Sequence, residues 1–438
     1  RSLFRYPPDY GQKTPLDEVL DWSDWGGFLG AVEMCNNNGT CRKSDPGVMC
    51  PSFRATAEEQ HVTRGRANSL RLALSGQLGP DALFADEMRQ TMDLCVGCKG
   101  CKRECPTGVD MARMKIEFQA QWRQRRGGSV RDALIAHLPR YAPFAALAAP
   151  LLNLRNRVPA LARFGEMLLG LSARRSLPRW RRDWHRASPP VGEGREIVLL
   201  VDTFNRYFEP ENARAARRVL DAAGYRVIEP AGPGRPLCCG RTYLAAGMVE
   251  EARHEARRLL AALTPLAERG VPIIGLEPSC LLTLRDEYEA MLPPAEIAAV
   301  AGQARLFEEF LAQERKAGQL DLPLRALPEK EAWLHGHCHQ KAFGLVSDVA
   351  ATLALVPDLK VRTIESGCCG MAGAFGYAAE HYDVSMRMAE LDLLPALRRT
   401  PEGALVVADG TSCRQQIADG AGREAVHVAR VLERALAR

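Results

Sequence analysis

No stretch of this 438-residue sequence is long and apolar enough to cross a bilayer as a helix. The longest apolar segment, Tyr141–Leu154, contains Pro143 and Pro150 and falls short of the roughly 20 residues a spanning helix needs. Long runs of like charge are missing too. With a formal net charge of only +5, the sequence has no tail that would suggest nucleic acid as a partner. No Gly-x-Gly-x-x-Gly opens a helix after a strand, so the chain shows no dinucleotide-binding fingerprint of its own. Arg1–Tyr10 has no apolar core, which excludes a secretory signal peptide, and without an initiating Met the expectation is a trimmed piece of something longer.

Cysteine is what the sequence has in excess: fourteen, in two groups of seven, Cys35–Cys105 and Cys238–Cys413. Disulfides would need an oxidising compartment and usually a small scaffold. A large chain without an export signal, with C-x-x-C and Cys-Cys spacings, points to metal ligation in a reducing cytoplasm.

The pattern divides the chain. Residues 14–127 read as an all-helical, ferredoxin-like domain around two Cys-rich loops. Helices are expected over Leu16–Trp25 (capped by Thr14), Glu58–Ser75, Asp81–Leu94 and Met111–Arg126. Residues 128–190 read as a basic helical connector cut by prolines. Between Arg131 and Arg186 it holds eleven Arg and, as acids, only Asp132, Glu166 and Asp183. It is either a solvated basic face or a docking surface for an acidic partner or anionic lipid, which would place the chain peripherally on a membrane. After Ser188–Gly194, a linker by composition, the pattern becomes α/β. Strands are expected over Glu196–Val201, Tyr225–Ile228 and Val271–Leu276, then over Ala332–His335, Val361–Ile364 and Ala404–Ala408.

The cysteines mark a duplication, 195–325 and 328–438. Cys238-Cys239-Gly240 is followed by Cys280 just past a strand, and Cys368-Cys369-Gly370 by Cys413 just past a strand. The intervals Cys239 to Cys280 and Cys369 to Cys413 are 41 and 44 positions. The fold class is therefore α plus α/β, and the two cysteine groups are expected in separate folding units joined by Ser188–Gly194.

Cys95-x2-Cys98-x2-Cys101-x3-Cys105-Pro106 has the spacing of the bacterial ferredoxin run, which supplies thiolates to a 4Fe–4S cluster. Gly97 and Gly100 let the backbone curl around a cluster. Because the fourth Cys of such a run serves the other cluster, Cys50, which also precedes a proline, is expected to complete the set of Cys95, Cys98 and Cys101. That leaves Cys35, Cys41 and Cys105 for a second site, a 3Fe–4S cluster or a cubane with a non-Cys ligand from Asn36–Asn38, Ser44 or Asp45. An empty, merely packed second site and a structural zinc are the alternatives. Arg42, Lys43, Arg64, Arg66, Lys99, Lys102 and Arg103 lie near these loops and would raise a cluster's potential, or are ordinary surface charge.

In the second group Cys238, Cys239, Cys280, Cys338, Cys368, Cys369 and Cys413, with His337 and His339 of His335-Gly336-His337-Cys338-His339, are candidate ligands. They sit at strand ends, where α/β sheets bind ligands. Here the chain resembles a known family. Glu33-Met34-Cys35-Asn36-Asn37-Asn38-Gly39-Thr40-Cys41-Arg42-Lys43, Glu277-Pro278-Ser279-Cys280 and His335-Gly336-His337-Cys338-His339-Gln340 resemble the iron–sulfur part of FAD-linked D-2-hydroxy acid dehydrogenases and the glycolate oxidase iron–sulfur subunit. The paired Cys-Cys-Gly modules resemble those of heterodisulfide reductase. The resemblance implies an electron-transfer chain that takes electrons from FAD on a partner or missing domain and passes them to a quinone or other carrier. It departs at Gln416, Thr283 and Asp202, which stand where the full module has cysteines. A single Fe or Zn ion there is as well suited as a non-cubane cluster. A zinc-dependent scaffold subunit and a heterodisulfide-reductase-like thiol subunit are the rival readings.

Overall fold

The computed structural model describes residues 10–44 and 47–437. Asp45, one of the candidate ligands, and Arg5–Asp9 of the opening segment lie outside them.

The N-terminal region is helical: α1 Phe28–Glu33, α2 Pro51–Thr56, α3 Thr63–Leu74, α4 Asp86–Asp93, α5 Gly100–Glu104 and α6 Met111–Arg126. The last starts on an Asp110 cap that accepts from the Arg113 amide (3.0 Å) and stops at Gly127, as its sequence predicts. The helix expected over Leu16–Trp25 does not form beyond a single turn at Ser23–Trp25. Glu117 of α6, fully buried, takes the hydrogen bonds that such a helix would need: the Val19 amide (3.0 Å), the Leu20 amide (2.9 Å) and the Trp22 indole N–H (3.0 Å). An ionisable group withdrawn from water must be hydrogen-bonded, and that demand outweighs the segment's weak helical preference. The segment Glu58–Ser75 likewise divides into a 3-10 turn, Glu59–His61, and α3.

Four further helices form the basic segment: α7 Val130–Ala136, α8 Leu138–Leu147, α9 Ala149–Leu152 and α10 Pro159–Leu169. Prolines open the first turn of α8, α9 and α10, where no amide is missed; Pro143 lies inside α8. The strap that follows crosses both C-terminal modules. Arg175 reaches Asp419 (3.3 Å) and the Ser385 hydroxyl (2.8 Å), and His185 reaches Glu229 (2.6 Å).

Each module holds a four-stranded parallel sheet. β1 Glu196–Leu200, β2 Arg226–Ile228, β3 Ile273–Gly275 and β4 Ala304–Leu306 lie in the order β2-β1-β3-β4. β5 Glu331–Leu334, β6 Lys360–Thr363, β7 Leu405–Val407 and β8 Ala425–Val426 repeat it as β6-β5-β7-β8. The edge strands β4 and β8 are three and two residues long, too short to carry a periodicity, and were not expected from the sequence. Both Cys-Cys-Gly turns repeat as well. Gly240 (φ +83°) and Gly370 (φ +85°) are left-handed, and a Cβ on Gly370 would come within 2.4 Å of the Ser385 carbonyl oxygen. Only glycine fits.

The first module is packed on both sides. Ile197 and Leu199 of β1 share a core with Ala332 and Leu334 of β5 and with the helices Pro210–Ala222 and Val428–Ala435. Val198 and Leu200, on the opposite face, join a core that continues through Leu259 and Tyr243 to Phe28, Leu70 and Met114 of the helical domain. Apolar burial is continuous from the cysteine loops through the first module, and we propose that the chain unfolds as one unit although separate units were expected. Leu432, fully buried in the core shared by the two modules, tests this. Leu432→Ala should cost about 2–5 kcal/mol and, in guanidinium unfolding followed by circular dichroism and tryptophan emission, should lower one common transition. Two separate transitions with only the later one shifted would contradict the shared core.

Candidate metal centres

The loop after α4 is built to bring thiols together. The Cys95 amide donates to the Met92 carbonyl (3.1 Å), closing the helix. The chain then passes through Gly97 (φ +58°) and Lys99 (φ +60°) in left-handed backbone before α5 begins at Gly100. Gly100 lies so close to the Cys50 loop that a Cβ there would sit 2.9 Å from the Met49 nitrogen. Between the two loops is a cavity lined by Cys50, Cys95, Cys98 and Cys101, with Pro51, Arg66 and Met111. The structure thus brings to one cavity the four cysteines that the crossing pattern groups.

Their spacing separates two kinds of metal centre. A single tetrahedral zinc, with Zn–S near 2.3 Å, holds its sulfurs about 3.8 Å apart. Among the described residues no three of these four thiols lie within 4.8 Å of one another. The set is spread wider than one ion takes and suits a polynuclear centre. Burial pushes the Cys98 and Cys101 thiols well up. Cys338, Cys101 and Cys50 add to this at Cys98, and Asp110, Cys95 and Cys50 at Cys101. Four thiolates gathered here therefore call for a cationic centre among them.

Of the basic residues near the loops, most are spent on acids. Lys43 pairs with Glu104 (2.7 Å), Arg42 and Arg64 with Glu59 (3.3 and 2.7 Å), and Lys102 with Asp286 (2.5 Å). Lys99 is 2% exposed and pairs with Asp286 and with Glu287 (2.7 Å). Arg66 is the one in this set that faces a thiol, with Nη1 3.7 Å from Cys50 Sγ, while its other nitrogens donate to the Thr91 carbonyl (2.9 Å) and the Ser52 hydroxyl (3.1 Å). A second cation had no signal in the sequence. Lys115, on α6, donates to the Asp93 (2.9 Å) and Cys95 carbonyls, and burial pushes its ammonium down.

Of the remaining cysteines of the first group, Cys41 lies within electrostatic reach of Cys35 and Cys50. Cys35 follows α1 and Cys41 lies in a 3-10 turn, Thr40–Arg42. Burial raises the Cys41 thiol, and the charges of Cys50 and Cys35 add to the effect. Cys105 lies beyond α5, its sulfur 3.3 Å from the Thr107 hydroxyl. Burial raises that thiol, but hydrogen bonds from Thr107 and the Val109 and Gly108 amides prevail and hold it below the ordinary range.

In the first module Cys238, Cys239 and Cys280 line a cavity with Asp202 and Glu277. Asp202 caps the helix after β1, accepting from Phe204 (2.9 Å) and Asn205 (3.1 Å). Burial and the charge of Glu277 still push its carboxyl up to about 6. Cys280 is raised to about 12: a hydrogen bond with Cys239 works against this, but burial and the charges of Asp202 and Glu277 prevail.

The second module differs. His335, Cys369 and Cys413 place a nitrogen and two sulfurs within 4.8 Å of one another, the range of a single ion. The Ser366 hydroxyl donates to the Ile364 carbonyl (3.4 Å) and so accepts from Nδ1 of His335 (2.9 Å). Nε2 is left as a buried lone pair with no hydrogen-bond partner. Burial pushes the His335 imidazole down to about 4, keeping it neutral as a ligand must be. Neither of the two expected histidines belongs to this group. Nδ1 of His337 accepts from the His339 amide (3.1 Å) as the cap of helix Cys338–Phe343. Nε2 of His339 donates to the Gly97 carbonyl (3.1 Å) of the cluster loop.

Cys338 and Cys368 pack instead against Cys98, Val48 and Val96, so the two cysteine groups meet. A hydrogen bond from Cys368, with the charges of His337 and Lys341, lowers the Cys338 thiol to about 6 against the opposing effect of burial. Lys341 donates to the Gly367 carbonyl (3.1 Å) nearby. Arg54, one turn beyond Cys50, forms a two-pronged pair with Asp392 (2.8 and 3.0 Å), which also accepts from Gly367 (3.2 Å).

Comparison with known proteins agrees with this geometry. Residues 31–109 match the family model described as a 4Fe-4S dicluster domain, and residues 203–285 the one described as a Cysteine-rich domain. The D-2-hydroxyglutarate dehydrogenase of Pseudomonas putida is 29% identical over 92% of this chain, but only 43% of its own length is matched. The glycolate oxidase iron-sulfur subunit of Escherichia coli is 27% identical over 88% of this chain and 91% of its own length. One subunit of the anaerobic glycerol-3-phosphate dehydrogenase of Escherichia coli is 26% identical over 70% of this chain and 78% of its own length. The chain thus spans less than half the length of the D-2-hydroxyglutarate dehydrogenases it matches. One region of the chain thus matches a 4Fe-4S dicluster domain and another a Cysteine-rich domain, and the whole is similar, at 26–29% identity, to oxidoreductases and their subunits.

Proposed function

We propose that this chain is the electron-transfer part of an FAD-linked D-2-hydroxy acid dehydrogenase, taking electrons from a flavin on a partner or adjoining domain and passing them to a quinone or other carrier. The observation that carries the reading is the single cavity lined by Cys50, Cys95, Cys98 and Cys101, spread wider than one ion requires. A 4Fe–4S cluster held there supplies one-electron uptake and release, at a potential set by nearby charge and hydrogen bonds. The protein's part is to hold it. Arg66 presents a guanidinium to Cys50, Lys115 fixes the Cys95 carbonyl, and Gly97 and Gly100 leave room for the loops to close. The names of the relatives, a hydroxy acid dehydrogenase and subunits of two other oxidoreductases, support the flavin partner.

Cys35, Cys41 and Cys105 are proposed for a second cluster, consistent with the dicluster match. In the second module His335, Cys369 and Cys413 are proposed to hold one Fe or Zn ion, the neutral imidazole and two sulfurs forming an N,S set that such an ion accepts. Cys238, Cys239 and Cys280 are the weaker counterpart, with Asp202 as the oxygen donor beside them.

Protein purified without oxygen should be brown, contain iron and acid-labile sulfide, and bleach with dithionite. Cys98→Ser should remove the share of that absorbance and iron due to the Cys50–Cys101 cluster, and a colourless zinc-only protein with the native circular dichroism would end the cluster assignment. Arg66→Gln should keep the cluster but lower its midpoint potential in a redox titration, because a cation beside a ligand sulfur favours the reduced, more negative state. His335→Ala should lower metal content in the second module by one ion per chain with cluster absorbance intact, whereas His337→Ala should keep the ion; equal loss in both would place the ligand elsewhere. Hydroxy acid oxidation itself should need an added flavoprotein, since removal of a hydride requires an electron-pair acceptor.

A further inference from the structure

The helices α7–α10 are built inside out. Along α8 and α9 the inward residues are alanines, Ala142, Ala146 and Ala149, and the first two pack with Tyr207 and Phe208. The large side chains face water: Phe144 is 73% exposed, with Leu147 and Leu151 following at helical spacing. The same inversion recurs on α10, where Ala162 is buried while Phe164 and Met167 are 56% and 78% exposed. Among the described residues, twelve of the fifteen exposed large apolar side chains lie between Val130 and Leu168. A helix that must only pack on its own protein turns its large apolar side chains inward, and a contiguous exposed set of this kind marks an interaction surface.

The charge around it selects the partner. Arg157, Arg163, Arg179 and Arg182 are exposed, and among the described residues no carboxylate lies within ion-pair distance of them. The acids of the segment are few, and two are already engaged: Glu166 by the Ala173 amide, Asp183 by Arg181 (2.8 Å) and Arg214 (3.2 Å). Apolar side chains beside unpaired arginines, with few acids among them, match acyl chains beside anionic headgroups. A protein interface of this size would present hydrogen-bond acceptors as well as donors. No helix here is long and apolar enough to span, so the contact is shallow.

We infer that α8–α10 dock the chain on an anionic lipid surface, with Phe144, Phe164 and Met167 entering the interface and Arg157 and Arg163 meeting the headgroups. This inference does not rest on the electron-transfer reading, because it is measured without any redox signal. The full chain should sediment with vesicles containing phosphatidylglycerol, and binding should fall as salt is raised. Phe164→Glu with Met167→Glu should weaken it at least about tenfold. Arg157→Glu with Arg163→Glu should weaken binding to phosphatidylglycerol about 25-fold, at about fivefold per arginine, and leave the feeble binding to phosphatidylcholine alone unchanged. All four residues project from the surface, so native circular dichroism and cluster absorbance serve as the folding control. Absence of binding to anionic vesicles at low salt, unchanged binding by the Phe164 and Met167 variant, or a concentration-dependent dimer that this variant abolishes would each overturn the lipid assignment. So would a flavoprotein complex that covers this face and excludes vesicles.

Discussion

Lys99 stands at the bend of the loop that carries Cys95, Cys98 and Cys101, in left-handed backbone, with its ammonium taken out of water against Asp286 and Glu287 of the first module. A charge so placed tolerates little movement, because an ammonium drawn away from both carboxylates would be buried and uncompensated, at about 3–5 kcal/mol. The loop's position relative to both modules follows from that constraint. With Lys99 anchored to one module, the Gly97 carbonyl reaches His339 of the other, and Cys98 lies against Cys338 and Cys368. The cysteine groups, more than a hundred residues apart in sequence, are neighbours in a fold tied together by this ion pair, the Arg54–Asp392 pair and the His339–Gly97 hydrogen bond.

Two thiol geometries then coexist within one fold. The set around Cys98 is wide and belongs to loops from the helical domain. The set around Cys413 is tight, includes an imidazole, and belongs to strand ends. The tight set has the spacing of a single ion, and the wide set does not. Cys338 and Cys368 join the two: Cys368 is hydrogen-bonded to Cys338 and Cys369, and both pack against Cys98.

Much of this was legible in the sequence where the signal was local. The run from Cys95 to Cys105 states its own spacing, α6 carries its own cap and stop, and the four central strands, β1, β3, β5 and β7, are short and rich in apolar residues. What could not be read depends on contacts far along the chain. The stretch before Trp25 has helical spacing, but Glu117, about a hundred residues on, claims its amides. His335, His337 and His339 are equivalent by spacing, and only the Ser366 hydroxyl and the helix cap decide which ring nitrogen stays free. The basic residues near the loops look alike in sequence; acid partners engage Arg42, Lys43, Arg64, Lys99 and Lys102, while Arg66 reaches the Cys50 sulfur. The inside-out helices were visible only as an arginine excess, because which face is covered depends on Tyr207 and Phe208.

The two modules repeat one strand order and press together across a common core, which is the arrangement of a twofold dimer written into a single polypeptide. In a dimer of separate identical chains every substitution is made twice, so both sites must keep the same chemistry. Fusing the halves lifts that obligation. One half can hold Asp202 beside its cysteines and merge its core with the helical domain, while the other keeps His335 and takes the loop's edge. Covalent duplication thereby turns a symmetric pair of sites into a direction, with a near end and a far end along which charge can be ordered.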